Sequence, residues 1–118
     1  MHELSVAQSI VDACSERAAG ARVLRVTLEV GTLSCVMPEA LRSCYDVAAQ
    51  ATPLAGSELE IICVPAYSRC GDCGAEVELY DLLRGCACGS LNLQRPQGGD
   101  VLRIRSMEIA AQIAEEVP

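Results

Sequence analysis

The stretch Cys70-Gly71-Asp72-Cys73-Gly74, followed after a further run by Gly85-Cys86-Ala87-Cys88-Gly89, decides how this chain is read. Two close cysteine pairs on neighbouring turns can surround one cation with four thiolates. Tetrahedral sulfur ligation at about 2.3 Å is the geometry of a structural Zn2+ site. Gly74 and Gly89 follow their pairs directly. Glycine lets the backbone turn back so that its amides point at thiolate sulfur. Cys70, Cys73, Cys86 and Cys88 are therefore the candidate zinc ligands. The competing reading is a redox dithiol at Cys70 and Cys73. That chemistry needs a helix N-terminus to lower a thiol pKa, and Pro65 to Asp72 contains no strand leading into a helix.

Composition sets the frame around this quartet. The chain has 118 residues, enough for one domain or a domain with a small insertion. It holds three Tyr and no Phe or Trp, so its core must come from Leu, Ile, Val, Ala and Cys. A net charge of −7 argues against nucleic acid and anionic membrane surfaces as partners, because both need clustered Lys and Arg. The opening Met1-His2-Glu3-Leu4-Ser5 has neither the basic nor the apolar segment of a secretory leader. No apolar run approaches the roughly 20 residues of a membrane-spanning helix. Metal-like cysteine spacing in such a chain predicts a reducing cytoplasm.

Working outward, residues 4–19 have helical spacing. Leu4, Ala7, Val11, Cys14 and Ala18 form one stripe with Ile10 beside it, and Gly20 stands where a C-cap belongs. Residues 22–30 alternate, with Leu24, Val26, Leu28 and Val30 set against Arg25, Thr27 and Glu29, which predicts a half-buried strand. Gly31-Thr32-Leu33-Ser34 breaks it. Pro38-Glu39 opens a second helix running to about Gln50, with Leu41, Cys44, Tyr45 and Ala48 as its apolar face. Residues 58–64 form a second strand, with Leu59, Ile61 and Cys63 inward and Pro65 closing it. Residues 101–108 form a third, where Leu102 and Ile104 oppose Arg103 and Arg105. The tail, 109–118, can extend as a short helix.

These elements predict an α+β fold, two helices packed on a small three-stranded sheet, with an inserted zinc-ribbon-like module. The α/β domain is 1–66 plus 96–118, and the zinc-binding domain is 67–95. Cys14, Cys44 and Cys63 are expected in the core as small hydrophobes, and Cys35 is expected to be partly exposed.

The single histidine is residue 2. Its imidazole, its own amide and a free α-amine on Met1 can reach one cation. Amine and amide close a five-membered chelate ring, and amide and imidazole Nδ1 a six-membered one. Nitrogen-rich sets of this kind suit Ni2+ and Cu2+. Glu3 can add an amide or a carboxylate. The competing reading is an exposed terminus with an incidental histidine.

Several motifs, taken in order, resemble one family. They are Met1-His2-Glu3-Leu4-Ser5, Gly31-Thr32-Leu33-Ser34, Pro38-Glu39-Ala40-Leu41, Gly56-Ser57-Glu58-Leu59-Glu60-Ile61 and Cys88-Gly89-Ser90. Together they resemble the HypA/HybF family of hydrogenase nickel-incorporation proteins, from residue 1 to about residue 109. The resemblance implies a nickel metallochaperone, not an enzyme. Such proteins deliver Ni2+ to the immature large subunit of nickel–iron hydrogenase with a partner GTPase of the HypB type, and some serve urease maturation. By position, His2, Met1 and Glu3 match the family's nickel site, and Cys70, Cys73, Cys86 and Cys88 its zinc site. The family favours Cys-x2-Cys at both knuckles. Here Gly85 stands where the third cysteine is expected, and Cys86 follows it. The alternative function is a zinc-ribbon interaction module without a nickel role, and a third class is a thiol–disulfide enzyme.

Overall fold

The structure is a computed structural model that describes residues 2–80 and 85–110. Helix α1 (His2–Ala18) buries Ala7, Ile10, Val11, Cys14 and Ala18 on one stripe. It begins two residues earlier than its periodicity predicts. Leu4, expected on the stripe, is exposed, while Glu3 is buried because its carboxylate is used inside the fold. Strand β1 (Val23–Gly31) follows through a left-handed turn at Ala19 and Gly20. Val26, Leu28 and Val30 are buried as expected. Leu24 is 45% exposed, and Val23 takes the buried place instead. Thr27, expected outward, is buried, its hydroxyl donating to Glu60 at 3.1 Å.

Helix α2 (Pro38–Ala49) has Met37 at its N-cap with no side-chain cap of its own. Leu41, Tyr45 and Ala49 form its buried face, and Cys44 is half-buried on its flank. The loop after α2 plugs the core with Leu54 and is held by the Thr52 hydroxyl, which donates to the Ala49 carbonyl. Strands β2 (Glu58–Val64) and β5 (Leu102–Ile109) flank β1 in a three-stranded sheet of order β2-β1-β5. On β2 only Leu59 is buried. Cys63, expected in the core, is exposed, because an edge strand is not fully covered. On β5 the expected inward residues Leu102 and Ile104 are 37% and 36% exposed. Ile109 is the last residue of β5 rather than part of a helix. The remainder of the expected tail helix, 111–118, lies outside the described residues.

Two short strands occupy the cysteine module, β3 (Ala66–Arg69) and β4 (Glu76–Leu79). They pair antiparallel, Ala66 with Leu79 and Arg69 with Glu76. At four residues each, they lie below the length at which alternation is a readable signal.

The described residues divide into two compact units. One lies within Met1–Leu28, Val36–Ile61 and Ile104–Pro118, the other within Glu29–Cys35 and Ile62–Arg103. In the first, α1 and α2 pack together, Val26 and Leu28 are buried, and the buried Tyr45 hydroxyl meets Ser57 at 2.5 Å. In the second, Ala66, Cys70 and Leu79 are the centre. Gly31 is required there. Its amide donates to Val101 at 2.7 Å, and a Cβ would lie 2.0 Å from the Gly99 carbonyl oxygen.

Candidate metal centre

The hairpin β3–β4 positions the first cysteine pair on the loop between its strands. Cys70 ends β3's run, its amide donating to Ala75 at 2.9 Å, and Gly74 donates back to the Cys70 carbonyl at 2.9 Å. The second pair repeats this local geometry: the Cys86 amide donates to Ser90 and the Gly89 amide to Cys86, both at 2.9 Å. Gly74 and Gly89 adopt φ of 78° and 96°, a left-handed turn that glycine makes without steric cost. Two knuckles of similar build, the second one residue shorter, thus face each other. The Cys-x-Cys spacing of the second does not prevent this.

The four Sγ atoms lie within 4.8 Å of one another. Cys70 and Cys88 are 3.7 Å apart, and Cys73 and Cys86 are 3.6 Å apart. Zinc–sulfur bonds of about 2.3 Å in a tetrahedron put sulfurs about 3.8 Å apart, so a Zn2+ fits between them. Cys70 and Cys86 are buried, Cys73 and Cys88 exposed.

Proton chemistry points the same way. The Cys73 and Asp72 amides, at 3.5 and 3.4 Å from its sulfur, bring the Cys70 thiol down to about 6. The Ser90 amide favours the Cys88 thiolate, but the neighbouring Cys86 and Cys70 sulfurs outweigh it and push this thiol up to about 12. Cys73 is likewise raised: the Ala75 amide favours its thiolate, and the Cys86 and Cys70 sulfurs oppose it. Sulfurs this close cannot all carry negative charge unaided. A divalent cation at the centre removes the conflict and displaces the protons.

A brace absent from the sequence reading joins the two knuckles. The Asp72 carboxylate accepts from the Ser90 hydroxyl and, at 3.3 Å, from the Asn92 side-chain amide. The Asn92 backbone amide donates to Ser90 Oγ at 2.9 Å. These bonds hold the Asp72 carboxyl below its ordinary pKa, Ser90 contributing most. Small polar residues within four positions of the cysteines were the available signal.

The other predicted metal residues lie in the first unit. His2 opens α1 and is half-buried. Glu3 follows it, and its Oε2 accepts the Met37 amide at 3.1 Å. That bond is the main reason its carboxyl is held down to about 2. The carboxylate thus closes the uncapped start of α2. A proline-started helix with Met at the capping position was the readable sign that an outside acceptor was needed. Met1, the third predicted nickel residue, lies outside the described residues. Cys35 is exposed, with a left-handed φ of 64°. Among the described residues, no helix is long and apolar enough to cross a membrane.

Comparison with known proteins gives the family. A family model described as hydrogenase/urease nickel incorporation, metallochaperone, hypA, matches residues 1–109. The hydrogenase maturation factor HypA of Trichormus variabilis is 43% identical over 109 residues, 92% of this chain and 96% of the relative. That of Crocosphaera subtropica is 46% identical over 110 residues, with the same shares covered. The solution structure of the Ni metallochaperone HypA from Helicobacter pylori shares the fold. Its TM-score is 0.61 at 24% identity, over 95% of this chain and all of that one.

Proposed function

The chain belongs to the HypA family of hydrogenase/urease nickel-incorporation metallochaperones, and from this premise we propose that it binds Ni2+ at its N-terminus for delivery to a hydrogenase. The family is one of nickel-incorporation metallochaperones, not enzymes, and the four-cysteine cluster fits a structural zinc ion. We assign the cargo to the Met1 amine, the His2 amide and imidazole, and the Glu3 amide. The zinc we assign to Cys70, Cys73, Cys86 and Cys88. The corresponding domains are 1–66 with 96–118 for nickel, and 67–95 for zinc.

The observation that carries the nickel assignment is His2 at the first residue of α1, directly before a Glu3 whose carboxylate is held on the Met37 amide. The first amides of a helix have no carbonyl partner within it. A metal that displaces their protons breaks no helical hydrogen bond. With the Glu3 carboxylate engaged elsewhere, its backbone nitrogen is the donor in line with the His2 chelate. Open ligation by a few nitrogens at a helix end suits an ion that must be passed on, whereas a closed thiolate cage suits one that stays. The recipient is the hydrogenase large-subunit precursor, reached with a GTPase of the HypB type in a reducing cytoplasm, and urease maturation proteins are the further clients.

The test is metal analysis and nickel titration of untagged protein. His2→Ala is expected to abolish stoichiometric nickel binding while zinc stays at one per chain. If His2→Ala bound nickel as tightly as the unaltered protein, the assignment would fail and a zinc module without a nickel role would remain.

A further inference from the structure

After the second knuckle the chain returns along β3. Tyr67 and Gln97 exchange both backbone hydrogen bonds at 2.7 Å, Cys70 bridges to Leu93, and the Gln94 amide donates to the Arg69 carbonyl at 2.9 Å. Strand β3 therefore lies between β4 and residues 93–97. The two bridges enclose Ser68 and Arg69 on β3, but Gln94, Arg95 and Pro96 on the returning chain. An extra residue on one side is the arrangement of a β-bulge, which re-aims a side chain. Ser68 pins it, its buried hydroxyl donating to the Gln94 carbonyl at 2.6 Å.

A cavity of about 160 Å3 opens here, lined by Tyr67, Arg69, Glu76, Gln94, Arg95 and Gln97 beside Ser68. It sets two guanidinium groups against one carboxylate. Arg69 Nη1 donates to the Gly74 carbonyl at 2.7 Å, which holds that guanidinium in place. Neither Arg69 nor Arg95 makes an ion pair with a described residue. The chain carries a net charge of −7, and all nine of its basic residues are arginine. Arginine's planar fork of N–H groups matches the two oxygens of a carboxylate. Small-molecule pockets run to roughly 300–1,000 Å3, so this one takes a single group rather than a whole metabolite. Tyr67 is 43% exposed and offers a ring of the kind that protein interfaces bury.

We propose that this cavity on the zinc module docks a carboxylate side chain presented by an acidic segment of a partner protein. Arg69 and Arg95 bind the carboxylate, the Gln94 and Gln97 side-chain amides donate beside them, and Tyr67 packs against the presenting chain. Glu76 opposes the bound charge and keeps the contact weak enough to release. An acidic protein repels acidic partners over most of its surface. A local reversal of sign therefore fixes where such a segment lands.

The experiment titrates zinc-loaded, isotopically labelled full chain with an end-capped hexaglutamate peptide and follows NMR shifts. Saturable changes are expected at the Arg69 and Arg95 guanidinium N–H groups and the Gln94 and Gln97 side-chain amides. An end-capped hexaglutamine peptide should leave them unmoved. Arg95→Gln is expected to weaken binding about tenfold, the scale of one charge-assisted hydrogen bond. Glu76→Gln, which removes the opposing charge, is expected to tighten it. Zinc at one per chain in both variants shows that the module is intact. Equal affinity in Arg95→Gln and the unaltered protein would overturn the proposal. Shifts spread evenly over Arg17 and Arg22 would overturn it as well. So would inorganic phosphate binding as tightly as the peptide, which would leave an adventitious ion only.

Discussion

Glu3 carries two kinds of chemistry in one residue. Its backbone belongs to the first turn of α1, and its carboxylate closes the start of α2 through the Met37 amide. Glu3→Gln keeps a carbonyl acceptor for that amide, whereas Glu3→Ala removes it. We therefore expect Glu3→Ala to lower the thermal midpoint more than Glu3→Gln, and Glu3→Gln to retain nickel binding, since the donor assigned to nickel is the amide. Paired melts and nickel titrations of the two variants check this, and a Gln variant that loses nickel while keeping its midpoint would return the carboxylate to the ligand set. Sequence made Glu3 a candidate for its place beside His2. It could not reveal the Met37 contact, because residues 34 positions apart meet only after the two helices have packed.

At the scale of elements, packing can be weighed more directly. Leu41 is fully buried on α2 and faces the core that α1 also lines. Leu41→Ala is expected to destabilise the first unit by about 2–5 kcal/mol, read as a lower denaturation midpoint for that unit's transition with an unchanged slope. The helices were legible because their stripes repeat over several turns: Ala7, Val11, Cys14 and Ala18 on one, Leu41 and Tyr45 on the other. The sheet's edges were not. Cys63, Leu102 and Ile104 lie in alternating stretches like that of β1, but alternation does not say whether a strand is central or peripheral, and edge position leaves these residues exposed. Strands β3 and β4 were too short to announce themselves, although the cysteine spacing on either side of β4 pointed to the four sulfurs that the structure brings together.

For the whole molecule, two compact units with separate cores mean that one unfolding midpoint does not describe the chain. The four-sulfur cluster belongs wholly to the second unit. Zinc removal with a strong chelator is expected to erase amide-exchange protection at Ser68 and Val77 while Leu41 and Tyr45 keep theirs. Uniform loss of protection along the chain would contradict this partition. Refilling with Co2+ should give the intense sulfur-to-metal absorption of four thiolates in the unaltered protein and a weaker band in Cys88→Ser.

The bonds from Ser90 and Asn92 to Asp72 have a kinetic consequence. They tie the two knuckle loops together through contacts that do not pass through the ion. In the interval after the ion departs and before the unit opens, the sulfurs are not set adrift, and their effective concentration for one another stays high. Recapture then demands little reordering, so a chain briefly stripped of zinc reloads in its original arrangement before its thiols can find other partners.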